Sequence, residues 1–187
     1  MRASLTTRLG RALLLSLLAA GCAAVSKVPE DPGLFLVAPG SAKREFSVTQ
    51  SVRIEPKEGE PFETLAAVEL DATGLRVAAL GPMGNRILFL EWDGTNYHEE
   101  HDPHLPQNFP LKLVLRDLML SLFPADAVRK ELPSDWTLQD LPRKRIVSHG
   151  EKPIIVIEYS ADDRFQSDVN FQHLTAGYRL KIRTVDS

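Results

Sequence analysis

His98, His101 and His104 stand at three-residue intervals, with Glu99, Glu100 and Asp102 among them, and form the densest set of metal-ligand types in the chain. A zinc ion needs three or four such groups at about 2 Å, and a helix stacks residues three apart on one face. Pro103 and Pro106 break any helix here, so the spacing implies no fixed geometry and a solvated loop is expected. Asp162 and Asp163 have the chemistry of half an acid–base pair, but they lie in a polar stretch with no partner marked by pattern. No nucleophile elbow, glycine-rich phosphate loop or His-Glu-x-x-His pattern occurs. The expectation is no catalytic residue, no metal and no cofactor. An enzyme using the histidine cluster is the poorest of three readings.

One residue has chemistry of another kind. Cys22 is the only cysteine. It follows a basic start (Arg2, Arg8, Arg11), an apolar run from Ala12 to Ala20, and Gly21. That is the layout of an export signal, and the run is too short to span a bilayer, which takes about 20 residues. Leu18-Ala19-Ala20-Gly21-Cys22 resembles the lipobox of bacterial lipoproteins, with Ala19 where leucine is commonest. The resemblance implies cleavage after Gly21 and acylation of Cys22 by palmitate-like chains. Two or more chains anchor stably, at about 0.8 kcal/mol per buried CH₂. Ala23, next after the cysteine, is permissive for the outer membrane in such proteins. A lipid-anchored protein of the outer membrane, facing the periplasm, is expected. An ordinary secreted protein is the plainer alternative.

Residues 1–21 then read as signal, 22–32 as lipidated N-terminus and tether, and 33–187 as one domain. A chain of this size buries about 70% of its unfolded surface, enough for a core without disulfides. The full chain carries a formal charge of −3, and losing the three signal arginines makes it more negative. That argues against nucleic acid as a partner.

The elements behind these residues are mostly strands. Arg44–Glu55 alternates, with Phe46, Val48, Val52 and Ile54 on one side and Glu45, Ser47, Thr49, Ser51 and Arg53 on the other. Phe62–Leu70 and Leu75–Leu80 flank the turn Asp71–Gly74. Arg86–Trp92 ends at Asp93-Gly94, a strong hairpin signal, and the return strand starts over Thr95–His98. Leu111, Leu115, Leu118 and Leu122 mark an amphipathic helix with a wide apolar side. Pro124 ends it and opens a short second helix, Ala125–Leu132. Strands resume at Arg143–Ser148, Pro153–Tyr159, Val169–Leu174 and Tyr178–Val185. The expected class is mainly β with inserted helices (α+β): an antiparallel open or incomplete β-barrel covered by a helical lid.

Two strands, around Ile87–Trp92 and Ile154–Ile157, are apolar on both faces. Either they are central and covered on both sides, or one face lines an apolar cavity for which Ala66, Ala67, Ala78 and Ala79 leave room. Arg143, Lys144, Arg145, Arg179, Lys181 and Arg183 fit charged edge strands that resist aggregation, or a basic edge facing anionic headgroups.

The segments Phe62–Glu69, Gly84–Gly94, Arg116–Leu120 with Phe123-Pro124, and Gly177–Ile182 resemble a family of bacterial lipoproteins known only as a domain of unknown function. Its genes often lie among those for aryl-polyene lipid synthesis. The motifs are structural and carry over no catalytic residue. More distantly, Leu80-Gly81-Pro82-Met83-Gly84 is similar to the Gly-Pro-Leu-Gly turn of the lipoprotein acceptor LolB. The element order also suits LolA and LolB, whose open barrels hold acyl chains. The resemblance implies Met83 as an exposed membrane-contact residue. The expected function is binding or delivery of an acyl chain or aryl-polyene lipid, with Phe89, Trp92, Leu115, Leu118 and Leu122 as lining. Expected partners are the membrane through the anchor, a lipid or lipoprotein ligand, and a periplasmic carrier protein. The alternative is a non-catalytic scaffold lipoprotein of an envelope assembly.

Overall fold

A computed structural model describes residues 31–103, 105 and 111–186. Cys22, Gly21 and His104 lie outside the described residues. Ten strands make one antiparallel sheet. In chain order they are β1 (Phe46–Glu55), β2 (Phe62–Leu70), β3 (Leu75–Leu80), β4 (Arg86–Trp92) and β5 (Tyr97–His101), then β6 (Trp136–Leu141), β7 (Lys144–His149), β8 (Lys152–Tyr159), β9 (Val169–His173) and β10 (Tyr178–Asp186). Helices α1 (Leu111–Leu122) and α2 (Ala125–Glu131) separate the two sets of five. The strand order β5-β4-β3-β2-β1-β10-β9-β8-β7-β6 means two meanders joined where the first strand pairs with the last. β5 and β6 are the free edges, so the sheet curls without closing.

The expected strands form where alternation marked them, and each hairpin follows its turn chemistry. Gly94 takes a positive φ of 94° after Asp93, whose carboxylate accepts from the Thr95 and Asn96 amides. β6 is an addition. Trp136 and Leu138 are buried and Thr137 and Gln139 exposed, an alternation too brief to stand out.

α1 is more than a lid. Every residue from Leu115 to Leu122 is buried, Arg116, Asp117 and Ser121 included. The sheet curls around one side of the helix, and a strap of chain from Asp31 to Ala42 covers another. Phe35 and Val37 of the strap are buried. The Val37 amide donates to Met119 Sδ at 3.2 Å, and Trp92 Nε1 donates to the Val37 carbonyl at 2.9 Å. No helix among the described residues is long and apolar enough to cross a membrane.

The last carbonyls of α1 have no partner within the helix and sit inside the protein, so the sheet must supply donors. Arg145 Nη1 donates to the Leu120 carbonyl at 2.7 Å and Tyr159 Oη to that of Ser121 at 2.8 Å. The Arg145 charge also opposes the negative end of the helix dipole. Burial pushes the Tyr159 hydroxyl up to about 12, so it remains a donor throughout the neutral range. Tyr159→Phe is expected to cost about 1 kcal/mol and to lower the melting temperature by about 2–4 °C in thermal denaturation.

Candidate functional site

Small side chains on the concave face of the sheet meet α1 without filling the space beneath it. Gln50, Ala66, Ala79 and Leu88 are direct cross-strand neighbours in one row over β1 to β4. The alanines in its middle leave a cavity roofed by Val114, Asp117 and Leu118 of α1 and by Leu105. Its volume is about 750 Å³ with the solvent at its mouth counted, and its enclosed part is narrow. Ile54, Phe62 and Leu180 lie side by side on β1, β2 and β10 and line its outer end, with Phe62 43% exposed. On the far wall the β3–β4 register slips after Ala79, leaving Ile87 unpaired, so that Ile87 and Leu88 both reach the cavity. Gln50, Thr64 and Asp117 are its polar lining residues.

Asp117 belongs to a buried network that binds three parts of the chain together. Arg116, wholly buried, donates to Asp117 Oδ1 from Nε at 2.9 Å and from Nη2 at 2.7 Å. Its Nη1 reaches Asp31 Oδ1 at 2.5 Å and the Gly33 carbonyl at 3.2 Å. The Tyr178 hydroxyl donates to Asp117 Oδ2 at 2.5 Å. The Ala176 amide donates to His173 Nδ1 at 3.2 Å, which leaves the proton on Nε2 to face Asp31 Oδ2 at 3.0 Å. Burial opposes the Arg116 charge, but the carboxylates of Asp117 and Asp31 outweigh it and raise its pKa. Burial pushes the Tyr178 hydroxyl up, and the Asp117 charge pushes it further.

Burial also pushes the Asp31 carboxyl up, yet the bonds from His173 and Arg116 prevail and hold it well below the usual carboxylate range. A carboxylate held low in the folded state stabilises above its unfolded pKa of about 4, and that contribution is lost only as pH falls further. The strap should therefore be as protected at pH 5 as at pH 7. Hydrogen exchange of amides 33–42, corrected for intrinsic rate, is expected to match at the two pH values. In Asp31→Ala it should rise roughly tenfold or more, in proportion to the lost charged hydrogen bonds.

Of the five residues expected to line a cavity, Leu118 does. Leu115 and Leu122 are buried in the core away from it, because their faces of the helix meet other parts of the interior. Phe89 falls on the opposite face of β4 from Leu88 and Leu90. There it packs edge-on against His98 and under the Arg86 guanidinium. Trp92 shares the concave side but lies beyond the cavity, holding the strap. Alternation divides the alanines in the same way: Ala66 and Ala79 line the cavity, and Ala67 and Ala78 do not. Met83 is 93% exposed at the tip of the β3–β4 turn.

His98 and His101 sit on edge strand β5, bonded to Glu100 and to the Asp102 carbonyl. A strand sends residues three apart to opposite faces, and no group of three potential ligands gathers among the described residues. The basic residues make no edge. β10 is central, its Lys181 pairs with Glu55 at 2.8 Å, and Arg145 is buried beneath α1. Pattern reading missed Ile54, Phe62, Leu180 and Gln50 as lining. Gln50 had left a signal, a polar side chain in the apolar row of β1.

A family model described as "Protein of unknown function (DUF3261)" matches residues 47–186. No curated protein matches the chain. Among solved structures, the crystal structure of the LolA superfamily protein NE2245 from Nitrosomonas europaea covers 81% of this chain and 93% of its own. The two are 11% identical, with a TM-score of 0.40. That likeness is too loose to bear on function.

Proposed function

Since the chain belongs to the family of proteins of unknown function DUF3261, no activity comes with its family, and we propose that it is a membrane-anchored binding protein for an apolar, chain-like ligand. The observation that carries this reading is the cavity between Ala66 and Ala79 on the sheet and Val114 and Leu118 on α1, apolar over nearly all its wall. Its narrowness suits one hydrocarbon chain. Each buried CH₂ contributes about 0.8 kcal/mol, so six would bring roughly 5 kcal/mol from burial alone. The work is uptake and release, without chemistry on the ligand.

The anchor fits the same reading. Asp31 is held by Arg116 and His173 at the end of the sheet where β10 begins, and Leu180 of the cavity mouth stands two residues beyond Tyr178. Cys22, acylated, is nine residues before Asp31, a reach of about 30 Å at full extension. The mouth then stays near the membrane that carries the anchor, proposed to be the outer membrane on its periplasmic side. A soluble periplasmic carrier would be the natural donor of the ligand.

Native mass spectrometry of the delipidated protein with hexadecanoic acid and with phospholipid is expected to show a one-to-one complex. No adduct with any chain would remove the binding role. Cys22→Ser is expected to move the protein from the membrane fraction to the soluble one. Unchanged fractionation would remove the anchor and leave the cavity reading standing.

A further inference from the structure

The floor of the cavity breaks its own pattern at one point. β1 places Phe46, Val48, Val52 and Ile54 on the concave face, and Gln50 stands in that row between two valines. It is 4% exposed and lines the cavity. Its amide has no hydrogen-bond partner among the described residues. The cross-strand neighbours are Ala66, which has nothing to offer, and Thr184, whose Oγ1 is itself buried and unpartnered. Beside them the β1–β10 register slips and passes over Val185, an irregularity of the kind that gathers next to binding sites.

The other polar lining groups are already engaged. Thr64 Oγ1 donates to the Leu80 carbonyl at 2.7 Å, and both Asp117 oxygens accept, from Arg116 and from Tyr178. A primary amide offers two donors and an acceptor. The Gln50 amide is not among the wholly enclosed unpartnered atoms, so it opens onto the cavity, and a chain that covers it without bonding to it loses roughly tenfold or more in affinity. A leucine at position 50 would have continued the apolar row and packed against Val52 and Ala66.

We infer that the ligand of this cavity is a hydrocarbon chain bearing a hydroxyl group, which hydrogen-bonds to Gln50 with Thr184 beside it. Gln50 lies four residues inward from Ile54 at the mouth, about 13 Å along an extended strand. The polar group is therefore set well inside, apart from any headgroup left at the mouth. Hydrocarbon packing supplies affinity, and the amide selects the functionalised chain over the plain one. This inference rests on the cavity being a binding site.

The test is the affinity of the purified protein for hexadecanoic acid and for its 2-, 10- and 16-hydroxy analogues, by native mass spectrometry and calorimetry. At least one hydroxylated chain is expected to bind about tenfold or more tighter than the plain acid, because a built hydrogen-bonding site penalises a ligand that leaves it unpaired. Gln50→Leu is expected to abolish that preference and to bind the plain acid better than the wild type does. Gln50→Met, close in shape and without the amide, serves the same comparison if the leucine variant fails to fold. Equal affinity of the wild type for the plain acid and every hydroxylated chain would overturn the inference. So would a preference unchanged in either variant. Failure of every chain to bind wild type and variants alike would instead overturn the binding role itself.

Discussion

Arg116→Met is expected to cost about 3–5 kcal/mol of folding stability, the range for breaking a buried ion pair from one side. At about 2–4 °C per kcal/mol for a domain of this size, the melting temperature should fall by roughly 6–20 °C. Arg116 is wholly buried and is the positive charge that Asp117 and Asp31 share. Without it, the Asp117 carboxylate stays inside with the Tyr178 hydroxyl as a donor, and Asp31 loses its strongest hold on the strap. Arg116→Met with Asp117→Leu should recover at least half of the loss, since an apolar pair removes the stranded charge. Differential scanning calorimetry decides the matter. A single variant melting within about 2 °C of the wild type would show that the network is not what fastens the strap to α1.

Ala79→Leu is expected to reduce binding of a hydrocarbon chain about a hundredfold while leaving the melting temperature unchanged or higher. The added carbons occupy space that about three or four ligand methylenes would use, and those are worth roughly 3 kcal/mol. Filling an empty apolar space costs no strain and often stabilises. In a solid interior the same substitution would overpack the core and lower stability by about 1–3 kcal/mol. The sign of the shift in melting temperature thus reads directly whether the sheet and helix enclose room. Ala67→Leu, next to Ala66 on β2 but not on the cavity wall, should leave binding unaltered. Equal loss from both substitutions would point to general disturbance.

Local pattern went far here because most of the fold is local. Alternation in Arg44–Glu55, the Asp93-Gly94 turn and the leucine spacing of Leu111–Leu122 each encode an element whose neighbours in sequence are its neighbours in space. The same pattern is silent on what a face looks at. Phe89 and Leu88 belong to one strand that is apolar on both sides, and only the curl of the sheet around α1 makes one face a cavity wall. Leu115 and Leu118 share an apolar helix surface so wide that periodicity assigns no front to it. Asp31 and His173 stand 142 residues apart, and nothing in either neighbourhood advertises the other.

What the sequence determined by itself was every strand but β6, the inserted helices and the antiparallel class, since these follow from periods of two and 3.6 residues and from turn residues. A cysteine behind an export-like leader is equally a matter of linear order. Tertiary structure alone decided that Ala66 and Ala79 face each other beneath α1, that Arg116 is buried between two carboxylates, and that Gln50 is left without a partner. Those are consequences of register and curvature, which bring together side chains that sequence distance keeps apart.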